Sequence, residues 1–121
     1  MKKYVLRTLS VLALLVAVFV VGAAAQGDQI VGGYGSVSVK DRSVKKAAAV
    51  AVRDHARKEH HSVTLLKIIK AEQQVVSGMN YRMCLRVRRP GHKAHNVTAV
   101  VYQPIRKKMR LTDWSDGCTD D

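Results

Sequence analysis

The feature that most constrains this chain is a stretch in which apolar and polar side chains alternate. From Met79 to Val87 the odd positions carry Met, Tyr, Met, Leu and Val, and from Asn80 to Arg88 the even positions carry Asn, Arg, Cys, Arg and Arg. Successive side chains of a strand point to opposite faces, so this period predicts a half-buried β-strand. One face of that strand needs an apolar cover.

A helix upstream of this strand is predicted to supply the cover. Asp41 or Ser43 offers an N-cap oxygen, and the helical pattern runs to about Lys58. The apolar face is rich in small residues, so the helix can lie close against a sheet. That face consists of Val44, Ala47, Ala48, Ala51 and Val52.

The remaining segments predict further strands joined by hairpins. Pro90-Gly91 marks a turn, and Pro104 interrupts a later apolar run. The fold class is therefore α+β, with one α-helix packed across a four- to five-stranded antiparallel sheet. Besides Met79–Arg88, strands are predicted at Ser36–Val39, Val63–Val76, Asn96–Gln103 and Met109–Trp114.

The N-terminus has the pattern of a secretory signal peptide. A basic start is followed by an apolar stretch from Leu9 to Val21 and then by Ala23-Ala24-Ala25. The alternative is a membrane anchor, but the stretch is shorter than the roughly 20 residues that span a bilayer. We predict cleavage after residue 25, secretion to the extracellular space and no stable membrane insertion of the mature chain.

The mature chain, residues 26–121, has a length suited to one domain. Residues 26–34 are rich in glycine and are predicted to form a flexible N-terminal arm. Residues 115–121 are polar and acidic and are predicted to form a tail.

The chain contains two cysteines, Cys84 and Cys118. In an exported protein a disulfide is the simplest interpretation, and closing this loop would stabilise the fold by roughly 3 to 4 kcal/mol. Two free thiols, or a catalytic or metal-bound Cys84, are the alternatives. The alternation places Cys84 on the arginine face of its strand, where a C-terminal tail could reach it.

The sequence offers no constellation that favours an enzyme. No nucleophile is paired with a base, no glycine loop has phosphate-binding spacing, and His92-x-x-His95 lacks further ligands for a metal. We therefore expect a binding protein without a cofactor or a metal. Its net charge of +12 favours acidic partners without identifying one.

One motif identifies a family. Gln74-Val75-Val76-Ser77-Gly78 matches the Q-x-V-x-G motif of the cystatins and falls between two predicted strands. Three further features agree in order: Val31-Gly32-Gly33 in the arm, the helical segment Ala49–His55, and Gln103-Pro104 before the last hairpin. The chain thus resembles the cystatin family over about residues 30–114.

This resemblance implies a reversible, competitive inhibitor of papain-like, cathepsin-type cysteine proteases. In the family, an N-terminal arm and two hairpins form a wedge that enters the protease cleft without presenting a scissile bond. An ordinary hairpin turn is the structural alternative for the motif. The resemblance assigns protease binding to Ile30, Val31, Gly32 and Gly33 in the arm, to Gln74, Val75, Val76, Ser77 and Gly78 in the first hairpin, and to Pro104, Ile105 and Arg106 in the second.

The second hairpin departs from the family pattern. Pro104 is followed by Ile105, where the family usually has a tryptophan, and the single Trp114 is expected to be a packing residue. Because tryptophan is a frequent interface anchor, the substitution is expected to cost roughly 1 to 2 kcal/mol of binding free energy.

Other functions and features remain as alternatives. The positive charge also suits a cationic host-defence or membrane-surface protein with a cathelin-like fold, and Ile105 suits a cystatin-like protein that has lost inhibition. Nucleic acid is not an expected partner, because no aromatic platform accompanies the arginines. Asn96-Val97-Thr98 is a candidate glycosylation site. A monomer is expected, with a domain-swapped dimer as an alternative.

Overall fold

A computed structural model describes residues 32–118, which form one helix packed on a five-stranded antiparallel sheet. The strands follow one another in chain order across the sheet. The predicted α+β architecture is confirmed. The elements are β1 (Gly35–Ser36), α1 (Arg42–Glu59), β2 (Thr64–Val76), β3 (Gly78–Arg88), β4 (His95–Gln103) and β5 (Arg110–Asp116).

Helix α1 begins at Arg42 because Asp41 caps it. One carboxylate oxygen of Asp41 accepts hydrogen bonds from the backbone N–H groups of Ser43, at 2.8 Å, and Val44, at 3.3 Å. Of the two predicted caps, Asp41 is the one used. The helix ends at His60, whose left-handed backbone (φ 56°) turns the chain toward β2.

The core lies between α1 and the inner face of the sheet. The predicted apolar face of the helix is fully or almost fully buried, and Val50 adds to it. The sheet contributes the odd-numbered residues of β3 and alternate residues of β4, so the predicted period-two pattern is confirmed. Small residues on the helix allow the larger sheet side chains to fill the space between the layers. The largest fully buried side chains are Met83, Leu85, Val44, Val87, Val97 and Val101.

Strand β2 contains two irregularities that the sequence does not predict. Its register with β3 shifts between Leu65 and Lys67 and again between Ile68 and Lys70. Leu66 and Ile69, the residues in between, are 43% and 42% exposed. Each bulge breaks the regular pairing on the part of β2 that β1 leaves uncovered, which discourages pairing with another chain.

Strands β1 and β5 differ from their predicted bounds. Strand β1 covers two residues that pair with Gln73 and Glu72, one position earlier than predicted and two residues shorter. Strand β5 extends to Asp116, which pairs with Val97, so Ser115 and Asp116 of the predicted tail belong to the sheet. Cross-strand hydrogen bonds, which the hydropathy pattern cannot reveal, set both bounds.

Cys84 and Cys118 form a disulfide, with their Cα atoms 5.6 Å apart. Of the alternatives left open by the sequence, pairing is the one found. Cys84 lies on the face of β3 that points away from α1, as the alternation predicted. The segment after β5 is further attached where Thr98 Oγ1 donates to the carbonyl oxygen of Gly117, at 2.7 Å.

Helix α1 is attached to β5 by two contacts of adjacent residues. Asp54 accepts a hydrogen bond from the backbone N–H of Leu111 at 3.1 Å. The His55 ring stacks on Trp114 with a centroid separation of 3.9 Å. Burial lowers the pKa of His55 from its ordinary value of 6.5; His61 and Lys58 add to this lowering, and Glu59 and Asp116 oppose it. Trp114 is therefore a packing residue, as predicted.

The predicted signal peptide, residues 1–25, lies outside the described residues, as do Ile30, Val31 and the end of the predicted tail. Among residues 32–118, no helix is long and apolar enough to cross a membrane.

Candidate functional site

The structure brings the described parts of the three predicted loops to one end of the sheet. The β2–β3 and β4–β5 turns share this end because the strands are antiparallel, and the arm reaches it beside β2. We call this end the loop edge. It consists of Gly32–Gly33, Gln74–Gly78 and Pro104–Arg106.

The first hairpin is tight because of Gly78. Val76 pairs directly with Gly78, which leaves Ser77 at the apex. Gly78 has φ 109°, a conformation that side chains rarely adopt, and a Cβ there would collide with the carbonyl oxygen of Gln103. Glycine is thus required by both the backbone conformation and the closeness of β4.

The first hairpin is also tied to the strand that leads into the second. The hydroxyl of Tyr102 donates to the carbonyl oxygen of Ser77. Met79 pairs with Gln103 in the β3–β4 ladder. Together with the close approach of Gly78, these contacts fix the apex of one hairpin against the base of the other.

The arm is attached through the first residue of the motif. Gln74 Nε2 donates to the carbonyl oxygen of Gly32 at 2.5 Å, and Asn80 Nδ2 donates to Gln74 Oε1 at 3.0 Å. Gly32 has φ 97°, which suits a change of chain direction. The motif glutamine therefore positions the arm, and its contact with a protease stays a prediction.

A cation–π contact holds the arm at Tyr34, the residue after Gly32–Gly33. The guanidinium of Arg82 lies 4.0 Å from the centroid of the Tyr34 ring. Arg82 also donates to both carboxylate oxygens of Glu72, at 3.3 and 3.1 Å. This cluster holds the chain next to β2 just after Gly32–Gly33.

The second hairpin is shaped by Gln103. Its Nε2 donates to the carbonyl oxygens of Pro104, at 2.8 Å, and Lys107, at 2.5 Å. This bridge closes the turn across Ile105 and Arg106, both of which are exposed. The tryptophan that usually follows this proline in the family is absent, but the hydrogen bonds of Gln103 hold the turn closed.

The loop edge exposes apolar side chains. Ile105 is 74% exposed, Val75 63% and Val76 40%. Each of these residues sits on a loop whose backbone is held by the contacts above. Arg106, Lys107 and Lys108 surround the second hairpin with positive charge. Such an arrangement can bind an apolar, acidic-rimmed cleft.

Sequence reasoning missed the residues that hold the loops together. Asn80, Tyr102 and the side chain of Gln103 each carry a contact at the loop edge. Asn80 and Tyr102 occupy outward positions of their strands, opposite each other in the ladder. In the sequence, their closeness to the motif and to Pro104 is the signal that could have indicated them.

The remaining predicted site residue lies elsewhere. Asn96 lies near the start of β4, on the outer face of the sheet. Its Oδ1 accepts a hydrogen bond from Arg86 at 3.2 Å. Its glycosylation stays a prediction. Within residues 32–118, no group of three or more His, Cys, Asp or Glu side chains is placed to hold a metal ion.

Comparison with known proteins gives similarities to inhibitors of proteinases. The sequence model of a family described as "Aspartic acid proteinase inhibitor" matches residues 37–114. Cysteine proteinase inhibitor 8 of Oryza sativa subsp. japonica is 35% identical over 98 residues, which cover 76% of this chain and 80% of that protein. L-cystatin of Tachypleus tridentatus is 38% identical over 73 residues, covering 57% of this chain and 53% of that one.

Solved structures share the fold at low sequence identity. Salivary cystatin from the soft tick Ornithodoros moubata has a TM-score of 0.58 at 17% identity, with 74% of this chain and all of that chain covered. Mialostatin, a gut cystatin from the hard tick Ixodes ricinus, has a TM-score of 0.56 at 14% identity, with coverage of 73% and 100%.

The fold and the matches define the class as proteinaceous inhibitors of proteinases, which are not enzymes. Within that class, the chain belongs to the cystatin family. The resemblance inferred from the Q-x-V-x-G motif is confirmed.

Proposed function

We propose that this chain is a secreted, reversible and competitive inhibitor of papain-like, cathepsin-type cysteine proteases, and that the loop edge enters the active-site cleft. The name of the Oryza sativa relative, cysteine proteinase inhibitor 8, supports cysteine proteinases as the target class. The proposed secretion depends on removal of residues 1–25.

The observation that carries this proposal is the set of exposed aliphatic side chains on interlocked loops. Val75, Val76 and Ile105 are exposed together at one end of the sheet. Burying such a side chain contributes about 1.5 to 3 kcal/mol. Because the loops are already braced, little conformational entropy is lost on binding.

The block is steric. The apex Ser77 sits between the paired residues Val76 and Gly78, so its backbone is held by the ladder rather than extended as a substrate would be. A protease nucleophile facing this turn meets no peptide bond in a cleavable geometry. Inhibition is therefore reversible, and it competes with substrate for the cleft.

The arm adds contacts on one side of the cleft. Gly32 is fixed by Gln74, and the preceding residues Ile30 and Val31 are proposed to fill substrate pockets there. Both proposed contacts are apolar, as expected for pockets that accept aliphatic substrate side chains.

A second candidate function comes from the family description, which refers to aspartic proteinases. The matching segment, residues 37–114, contains both hairpins but not Gly32 or Gly33. The match to that family therefore includes the hairpins and not the arm. We favour cysteine proteinases because the Q-x-V-x-G hairpin and the attached arm act together at the loop edge.

The experiment that tests this proposal is a parallel titration of papain and pepsin with the purified protein, each with a fluorogenic substrate. We expect inhibition of papain at or below micromolar concentration, relieved by raising substrate, and none of pepsin at the same concentrations. Inhibition of pepsin alone would replace the proposal by the second candidate. Inhibition of neither enzyme would support a cystatin-like protein without inhibitory function.

A further inference from the structure

The solvent face of α1 carries a row of cations that the inhibitory site does not use. Arg42, Lys46, Arg53 and Arg57 are all exposed. In an ideal helix these positions fall within an arc of about 60° and extend over about 22 Å. We call this row the helix stripe. Ala49, also exposed, lies in its middle, so no bulky side chain interrupts it.

Little negative charge opposes the helix stripe. The carboxylates on α1 are Asp54 and Glu59. Asp54 pairs with Arg53 at 3.3 Å, but it also accepts the hydrogen bond from Leu111 and so lies on the β5 side. Within residues 32–118, Arg42, Lys46 and Arg57 form no ion pair.

The arrangement is unfavourable for the helix itself. Asp41 places a carboxylate at the positive end of the helix dipole from the N-cap, but the first turn itself contains the cations Arg42 and Lys45 and no acidic residue. Arg42 and Lys46 are like charges four residues apart, as are Arg53 and Arg57, and such pairs weaken a helix. A local conflict of this kind is a sign of function, because an anionic partner would relieve it.

We propose that the helix stripe is a docking surface for a linear polyanion, specifically a sulfated or carboxylated polysaccharide. Three of the four cations are arginines, whose planar guanidinium groups bind sulfate and carboxylate groups through paired hydrogen bonds. A straight, uninterrupted row matches a chain that carries its charges at intervals. Polyanions also release counterions when they bind such a row, which makes the affinity sensitive to salt.

Two other anionic partners fit less well. A membrane surface would require bulky apolar anchors on the exposed face, but the valines of α1 are buried and the exposed Ala49 is small. Single-stranded nucleic acid is bound through aromatic platforms, and no aromatic residue lies in the stripe.

The helix stripe and the loop edge share no residue. The stripe faces away from the sheet, whereas the loop edge is formed by the turns at one end of the strands. Polysaccharide binding should therefore leave protease inhibition intact, so that an inhibitor held on a polyanionic matrix still acts on its target.

The test compares two triple variants with the same change of charge. The stripe variant is Lys46→Gln, Arg53→Gln, Arg57→Gln. The control is Lys67→Gln, Arg86→Gln, Arg88→Gln, which removes exposed cations from the opposite side of the molecule, on the outer sheet face. The full chain is exported to a bacterial periplasm, which allows the disulfide to form and adds no N-glycan.

Heparin is the probe, and its affinity is measured between about 50 and 200 mM NaCl, the range over which counterion release is visible. We expect the stripe variant to lose at least tenfold in affinity and its salt slope to fall by about two, at 0.7 to 0.9 for each lost contact. The control should change less than threefold. Papain inhibition and circular dichroism should match the unmodified protein in both variants.

An equal loss of heparin affinity in both variants would overturn the proposal, since net charge alone would then explain binding. Tighter binding to duplex DNA or to phosphatidylserine vesicles than to heparin at the same salt would also overturn it. If the stripe variant does not fold, the single substitutions Arg57→Gln and Arg86→Gln repeat the comparison, with a loss expected only for Arg57→Gln. If the unmodified protein does not inhibit papain, the comparison of heparin affinities is unaffected. The two proposals can therefore fail separately.

Discussion

At the scale of the residue, the proposed inhibition depends on what each position of the loop edge contributes to its shape or to its contact surface. Gly78 is needed for the shape of the loop edge, because a side chain there would strain the hairpin and displace Gln103. A Gly78→Trp substitution is an obvious test of the first hairpin. The contact with β4 means that it would disturb both hairpins, so exposed side chains give cleaner tests.

The substitution Ile105→Trp should strengthen inhibition. Ile105 is exposed on a turn braced by Gln103, so a larger side chain can be accommodated without repacking. A tryptophan anchor is expected to add roughly 1 to 2 kcal/mol of binding free energy, or about 5- to 30-fold in affinity for papain. The inhibition constant measures this directly.

Ile69→Trp is the matched control, since Ile69 is an exposed isoleucine on a bulge of β2 outside the three loops. It should leave the inhibition constant unchanged. No gain from Ile105→Trp would mean that the second hairpin does not contact the protease, and an equal gain from Ile69→Trp would mean that the effect is not specific to that hairpin.

At the scale of the element, the sequence predicted the helix and the long strands well because their periods are strong. The apolar face of α1 and the alternation of β3 both follow from burial on one side. The bulges at Leu66 and Ile69 and the true ends of β1 and β5 depend on pairing between strands distant in sequence. No local pattern encodes them.

The contact between α1 and β5 predicts a pH effect on stability. Burial lowers the pKa of His55 in the folded protein below its ordinary value of 6.5. The unfolded chain therefore binds the proton more readily, and the free energy of unfolding falls as the pH drops below 6.5.

His55→Phe keeps a ring stacked on Trp114 and removes this titration. The variant should lose less stability than the unmodified protein between about pH 7.5 and pH 5, as measured by urea unfolding. Equal losses in the two proteins would show that His55 does not contribute to the pH dependence.

At the scale of the whole molecule, the loops could be identified from the sequence, but the contacts between them could not. The Q-x-V-x-G motif and Gln103-Pro104 located both hairpins, and the antiparallel order places them at one end. The bond from Gln74 to Gly32 and the contact of Tyr102 with Ser77 join segments that are 42 and 25 residues apart. Such links depend on the folded arrangement of strands, which hydropathy alone does not determine.

The most direct test of the central claim, that the loop edge blocks a papain-like protease, compares two aliphatic residues of similar exposure. Val76 on the first hairpin is 40% exposed and Leu66 on β2 is 43% exposed. Each is changed to Asp, and the inhibition constant for papain is measured. We predict a loss of about 30-fold or more for Val76→Asp, corresponding to about 2 kcal/mol, and less than threefold for Leu66→Asp. Equal inhibition by Val76→Asp and the unmodified protein would contradict the account.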